Sequence, residues 1–401
     1  MRLPGRRSPF VWPVVGLSLL VAVPLGVACS NETDRSGPVE SALHQTLVQV
    51  RSTQGQPWGT TLPGLAAAAI ADPERLDRVP RAVSGSSDPP GNDELTLADR
   101  FHVGSVTKTF TAALIMQLDQ SGDLSLSDPV SNWIRYPGGR NITVEMLLGH
   151  TSGIPDFSEL PGRQRTDTPE RSIELASSAQ PLFPPGSQWS YSNTNYIMLG
   201  VIAERVTGVP WADQVRTRFF EPLALADTYV WDGEARQPTV DGSRLDCGYP
   251  GEPKCVKRPG FEIVPVTDGF DWTAAWAAGA IVSTPSDLAH WIDQLVGGEV
   301  LDAEHRRLLT SPTPQSVKAL AGSPSYGAVR WTGGSLGLLR YEIDGEGTGW
   351  GHEGSINGFV SNVVRMDESD QTVAVTSNFF QTDGFAALGE LVVATGEAAE
   401  N

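Results

Sequence analysis

The stretch Phe101-His102-Val103-Gly104-Ser105-Val106-Thr107-Lys108-Thr109-Phe110 decides how this chain is read. Val106, Phe110, Leu114 and Leu118 recur every four residues, which predicts a helix with one buried face, and Gly122 is placed to stop it. Ser105 and Lys108 stand three apart at the start of that helix. Residues three apart share a helical face, so the Lys108 amine can approach the Ser105 hydroxyl. A helix N-terminus adds backbone N–H groups and a positive field, which suit an oxyanion forming on an attacked carbonyl. Ser-x-x-Lys is common by chance, so the chemistry needs partners from elsewhere in the chain.

Two further segments offer them. In Phe183-Pro184-Pro185-Gly186-Ser187-Gln188-Trp189-Ser190-Tyr191-Ser192-Asn193, a phenol and an amide sit on a short loop. A helix is predicted just after it, from about Asn195 to Thr207, with Met198, Ile202 and Val206 in register and Gly208 following. A tyrosine near a lysine cation is expected to lose its proton more easily than its ordinary pKa of about 10 suggests. Tyr191 then acts as base toward the serine and acid toward the leaving group. The plainer alternative is a buried tyrosine with a satisfied hydroxyl. The third segment is Trp350-Gly351-His352-Glu353-Gly354-Ser355-Ile356-Asn357-Gly358-Phe359. A strand of small residues lets a substrate backbone come close. His352 can hydrogen-bond into the site as a neutral or charged donor.

In this order, the three segments resemble the serine β-lactamase and penicillin-binding superfamily. The nearest branch is that of class C β-lactamases and D-alanyl-D-alanine carboxypeptidases, whose second motif is Tyr-x-Asn. Glu145-Met146-Leu147-Leu148-Gly149-His150-Thr151-Ser152-Gly153-Ile154 and Ala278-Gly279-Ala280-Ile281-Val282-Ser283-Thr284 are similar to further family signatures, and the resemblance covers about residues 60–395. It implies an α+β, β-lactamase/transpeptidase-like fold: an antiparallel sheet flanked by helices, with an inserted mainly helical region. It implies that Ser105 is the acylated nucleophile, that Lys108 and Tyr191 handle its proton, and that Asn193 orients the substrate. His352 stands where many members have Lys and several carboxypeptidase and esterase relatives have His. The implied oxyanion hole is the backbone N–H of Ser105 and of Ser355. The reaction is two-step acyl transfer on a small-molecule or peptide acyl substrate, with no metal or organic cofactor. β-Lactam, D-Ala-D-Ala peptide and ester all remain open as substrates. The alternative is a penicillin-binding sensor that acylates without efficient turnover. Glu353 occupies a position where carboxypeptidase and β-lactamase relatives carry a hydroxyl residue near the substrate carboxylate.

Composition agrees with a globular enzyme. The chain has 401 residues, 40% apolar and 19% charged, and a net charge of −18, which argues against nucleic acid as a partner. Pro63-Gly64-Leu65 through Ile70 reads as a buried strand, Val79 to Asp93 as a hairpin or surface loop, and 231–262 as loop. Ser286 to Val296 reads as a helix introduced by Pro285. Strand patterns run from Tyr326 to Asn378, and a final helix from Phe385 to about Glu397. Strands at both ends with a helical middle suggest a sheet interrupted by a helical insertion.

The N-terminus reads as an address. Arg2, Arg6 and Arg7 precede an uncharged apolar run from Ser8 to Ser30. It closes on Leu25-Gly26-Val27-Ala28-Cys29, which resembles a bacterial lipobox apart from Gly26. The expected division is a signal peptide over 1–28, a tether with a first helix around Leu43, Leu47 and Val50 over 29–57, and the hydrolase domain over 58–401. Cys29 is the expected lipidation site and membrane attachment point, with plain secretion or an uncleaved anchor as alternatives. The chain is expected to be exported, and in an oxidising compartment Cys247 and Cys255 are expected to pair; two free thiols are the other reading. Oligomeric state is left open.

Other signals compete. Gly333-Gly334-Ser335-Leu336-Gly337 matches the G-x-S-x-G nucleophile elbow, but Leu338-Leu339-Arg340-Tyr341-Glu342-Ile343 then alternates like a strand where a helix is required. His352-Glu353 opens like a zinc motif, but Ile356 stands where the second histidine belongs. His150, in a tight polar turn, reads as structural. His44, His102, His290 and His305 read as structural or solvated, and Trp189 and Trp350 as candidates to line a cleft.

Overall fold

The computed structural model describes residues 36–55, 61–71, 79–89, 91, 93–164, 168–233, 236–237, 239–247, 260–266 and 272–400. The address segment 1–28, Cys29 and Cys255 lie outside the described residues. The strands are β1 (Gly64–Ile70), β2 (Arg81–Gly85), β3 (Phe101–His102), β4 (Tyr229–Val230), β5 (Ser243–Leu245), β6 (Ile263–Pro265), β7 (Ile281–Ser283), β8 (Val329–Gly334), β9 (Leu339–Ile343), β10 (Gly347–Ile356), β11 (Phe359–Met366) and β12 (Thr372–Ser377). Seven of them form one antiparallel sheet in the order β2-β1-β12-β11-β10-β9-β8.

Both ends of the chain build this sheet, as the sequence pattern predicts. The central strands β1 and β12 are buried along their whole length. Their sequences, GLAAAAI and TVAVTS, are runs of small and β-branched residues without alternation, which is what a strand covered on both faces requires. The first helix, Ser36–Gly55, and the last, Gly384–Glu400, cover one face. There Val39, Leu43, Leu47 and Val50 meet Leu65, Ala67, Val373, Val375, Leu388 and Leu391. The other face carries the Pro285–Val296 helix and the helical region between β3 and β7.

The helix after Ser105 runs over Thr107–Ser121 and ends on Gly122, whose φ of 78° is the left-handed conformation that glycine adopts without strain. It is buried almost all round, not along one face as its periodicity predicts. Its polar residues are internally paired. Thr111 donates to the Ala277 carbonyl, Thr107 accepts from Ile281 N–H, and Thr109 accepts from the Trp291 indole. The second predicted helix spans Asn193–Thr207, two residues longer at its start, and stops at Gly208 with φ 72°.

One segment read as a hairpin or surface loop and one read as loop hold strands. Arg81–Gly85, within the 79–93 stretch, closes a hairpin with β1. Ser243–Leu245, within 231–262, pairs with Ile263–Pro265. Both strands are too short for an alternating pattern to stand out.

Two pairings shape the site. β3 pairs with β7, which fixes the chain immediately before Ser105. β9 pairs with β10 only from Gly347 to Gly351, whereas β11 follows β10 as far as Ile356. From His352 onward β10 therefore has no β9 partner on its other edge.

Candidate active site

Ser105 sits in a 3-10 turn, Gly104–Val106, that leads into the Thr107–Ser121 helix. Two glycines press that turn against β10. Gly104 has φ 52°, and a Cβ there would lie 3.1 Å from Ser355 N. A Cβ on Gly354 would lie 2.0 Å from the Val103 carbonyl oxygen, closer than atoms can approach. Ser361 on β11 donates to the same Val103 carbonyl at 2.8 Å. Ser105 and Ser355 consequently border one cavity of about 300 Å³, together with Phe157, Asn193 and Asn357, and with the exposed Arg163.

Lys108 is fully buried beneath the serine. Its Nζ lies 2.9 Å from Ser105 Oγ, 2.7 Å from Asn193 Oδ1 and 2.6 Å from the Ala278 carbonyl oxygen. Burial lowers its pKa to about 7, against the opposing pull of Asp156 and Glu353. A neutral amine has two N–H bonds and one lone pair. The two carbonyl oxygens have nothing to donate and must take the N–H bonds, so the lone pair is left for the Ser105 hydroxyl proton.

Tyr191 lies beside this pair, its ring centroid 5.0 Å from Lys108 Nζ. The expected easy loss of its proton is overturned. Burial first, then the charge of Glu353, hold its pKa well above the ordinary value, and the contact with Ser105 opposes this only in part. A lysine whose own pKa is lowered to about 7 is uncharged at the pH where a phenol would ionise, and so does not stabilise a phenolate. The hydroxyl is buried, and its interaction with Ser105 is the one influence that lowers its pKa.

Asn193 is the first residue of its helix and is held from both sides. Its Oδ1 faces Lys108, and its backbone N and Nδ2 donate to Asp156 at 3.1 and 2.8 Å. His352 is buried, and burial with the nearby Lys108 takes its pKa to about 3, so of the two forms considered it takes the neutral one. Its Nδ1 lies 2.5 Å from the Glu353 carbonyl oxygen, which assigns the ring proton to that nitrogen. Glu353 pairs with Asn362 while His352 pairs with Val363, so the two side chains leave opposite faces of β10. Glu353 is half-buried, and burial raises its pKa. Its charge still acts on Lys108 and Tyr191 across the strand.

Three contributors escaped the sequence reading. Asp156 follows Ile154-Pro155 directly, two residues beyond the end of the quoted signature, so its position was the available signal. The Ala278 carbonyl is a backbone group and leaves no mark in a sequence. His150 proves to stack on Tyr191. Among the competing signals, Ser335 spends its hydroxyl on the Leu309 and Leu338 carbonyls, and β9 follows it where an elbow needs a helix. His305 bridges Asp302 and Asp119. Trp350 is buried under the Arg340 guanidinium, and Trp189 is half-buried near His150. Among the described residues no group of His, Cys, Asp and Glu is arranged to hold a metal, and no helix is long and apolar enough to cross a membrane.

An antiparallel sheet with a helical insertion, a serine and lysine at a helix start and an adjoining Tyr-x-Asn define a protein of the serine acyl-transferring hydrolase superfamily that includes penicillin-binding proteins. The chain belongs to the Beta-lactamase family, whose model matches residues 51–396. It is 30% identical over 306 residues to penicillin-binding protein 4 of Amycolatopsis lactamdurans, covering 73% of this chain and 77% of that protein. Among solved structures it is similar to a D-stereospecific amidohydrolase from Streptomyces sp., with TM-score 0.69, 28% identity, and coverage of 89% of this chain and 98% of the other. It is also similar to the D-amino acid amidase from Ochrobactrum anthropi SV3, with TM-score 0.74, 25% identity, and coverage of 90% and 99%.

Proposed function

We propose that the protein is an exported serine hydrolase that cleaves amides or esters through an acyl-Ser105 intermediate. The observation that carries this reading is the seating of Lys108 Nζ, with two carbonyl oxygens taking its N–H bonds and Ser105 Oγ at 2.9 Å. Ser105 Oγ attacks the substrate acyl carbon while its proton passes to Lys108. The acyl oxygen becomes an oxyanion held by the backbone N–H groups of Ser105 and Ser355. As the acyl–leaving-group bond breaks, neutral Tyr191 gives its proton to the leaving atom and takes one from Lys108, which regains its neutral form. Water then attacks the acyl-enzyme, its proton returns through the same groups, and the acid is released. The open edge of β10 offers backbone groups for an extended substrate, with Asn193 Nδ2 as a side-chain donor and His352 Nε2, whose ring proton is on Nδ1, as an acceptor.

Glu353 bears on substrate choice. Its side chain leaves the face of β10 opposite His352, but its charge reaches Lys108 and Tyr191, and through that field it disfavours a free carboxylate on the substrate relative to neutral amides and esters. Neighbours described as a D-amino acid amidase and a D-stereospecific amidohydrolase support an amide with a D-configured acyl group. The second reading, a sensor that acylates with penicillin-like ligands and stalls, is favoured by the likeness to a penicillin-binding protein. Turnover of a panel comprising a D-amino acid amide, a short-chain ester, a cephalosporin and a D-Ala-D-Ala peptide separates the two. Acylation without release on every member would establish the sensor.

Attachment through Cys29 and pairing of Cys247 with Cys255 belong to the same proposal. Cys247 is buried, which supports the pairing. Cys29→Ala is expected to release the protein from membranes or block its processing. Two titratable thiols in the unreduced mature domain would exclude the disulfide.

A further inference from the structure

His150 holds the residues on either side of Tyr191. Its backbone carbonyl accepts from Ser190 N–H at 3.0 Å, and its Nδ1 accepts from Ser192 N–H at 3.1 Å. Between these two bonds the imidazole stacks on the Tyr191 ring, with centroids 4.5 Å apart and planes inclined by 26°. The imidazole is in turn fixed from behind. Asn195 Nδ2 lies 3.3 Å from the same Nδ1, and Ser152 Oγ donates to Asn195 Oδ1 at 2.7 Å. His150 itself has φ 55°, a left-handed backbone that Asn, Asp and His adopt more readily than other side-chain-bearing residues.

From this geometry we infer that His150 is a positioning residue: it sets the place of the Tyr191 hydroxyl relative to Ser105 and acts on the reaction only through Tyr191. The inference rests on the proposed acyl-transfer role of Tyr191. Apart from its interaction with Ser105, the group it must address, no side chain among the described residues is hydrogen-bonded to that hydroxyl. The ring and the two neighbouring backbone bonds supply the constraint, and all three come from one residue. An acceptor at Nδ1 places the imidazole proton on Nε2, so only the neutral ring makes the bond to Ser192. Burial and the proximity of Lys108 and His352 keep the ring in that form.

A double-mutant cycle on ester hydrolysis tests this. His150→Ala is expected to lower kcat about 10–100-fold, with KM within about 3-fold of wild type, because misplacing a reacting group by an ångström costs about that much. In a Tyr191→Phe background the same change is expected to cost less than about 2-fold, since the group being positioned is already gone. His150→Asn places Oδ1 near the position of Nδ1 and tolerates the backbone, so it is expected to restore most of kcat. His150→Gln carries its acceptor one bond further and is expected to behave like Ala. If the Ala variant fails to fold, the Asn and Gln pair decides alone. Equal losses of kcat in the presence and absence of the Tyr191 hydroxyl, or Asn falling as far as Gln, would overturn the inference. A wild type that never acylates would sink the underlying reading and this inference with it. Active wild type with additive losses would sink the inference only.

Discussion

Lys108 Nζ stands 2.9 Å from Ser105 Oγ, and its other two hydrogen bonds go to oxygens that can only accept, Asn193 Oδ1 and the Ala278 carbonyl. With the amine buried and its pKa near 7, this arrangement suits Lys108 to the role of proton acceptor in the proposed reaction. In the same proposal Tyr191, its pKa raised by burial, is the proton donor.

The first consequence is a pH profile. Acylation needs neutral Lys108, so kcat/KM is expected to fall tenfold per unit below about pH 7, where the amine protonates. Tyr191→Phe should slow the reaction without moving this limb. A limb near the ordinary tyrosine pKa of about 10 that vanishes in Tyr191→Phe would return the base to the phenol.

The same shift has a stability signature. The folded pKa of about 7 lies below the unfolded value of 10.5, so between these pH values the unfolded chain binds a proton that the folded chain lacks. Wild-type stability should therefore rise with pH through this window relative to Lys108→Met, by on the order of a few kcal/mol in all. Below about pH 7 the penalty of burying the amine is fully present. Melting temperatures of both proteins across pH 6–10, with a difference that stays flat, would contradict the burial argument.

Gly354 tests the contact between β10 and the nucleophile turn. A Cβ there would meet the Val103 carbonyl oxygen at 2.0 Å, and backbone must move to admit it. Gly354→Ala is expected to lower kcat/KM about 100-fold and stability by about 1–3 kcal/mol, read from kinetics and thermal melts. Wild-type kinetics in this variant would show that the spacing of Ser105 and Ser355 is not critical.

Glu353→Thr should raise kcat/KM on substrates with a free carboxylate about tenfold relative to neutral esters, since a like charge at 4–5 Å costs about 1 kcal/mol or more under partial screening. A wild type that already prefers carboxylate substrates, or a ratio unmoved by the substitution, would remove Glu353 from substrate choice.

Much of the site is legible in the sequence because it is local. Ser105 and Lys108 are one helical turn apart, and Gly122 and Gly208 end their helices in the left-handed backbone their residue type allows. The resemblance brought Tyr191 and Asn193 to the same site as Ser105 and Lys108, while the hydrogen bond between Lys108 and Asn193 is visible only in the structure. Polar residues misled the reading of the first of those helices. The four-residue recurrence marks one apolar face only, whereas Thr107, Lys108, Thr109 and Thr111 are buried as well because each finds an internal partner. The acidity of Tyr191 depends on how much water and charge surround it, and these are set by residues far apart in the chain, Glu353 among them. Asp156 and His150 came into view only when the Gly149–Pro155 turn was folded against the start of the Asn193 helix.

The central claim is that Ser105 carries the acyl group. Intact-mass analysis and peptide mapping after a fluorophosphonate or penicillin probe test it most directly, on wild type, Ser105→Ala and Ser335→Ala. The predicted result is a single adduct on the peptide holding Ser105, absent from Ser105→Ala while that variant stays folded, and undiminished in Ser335→Ala, whose hydroxyl only serves the Leu309 and Leu338 carbonyls. An adduct that survives Ser105→Ala and disappears with Ser335→Ala would contradict the account.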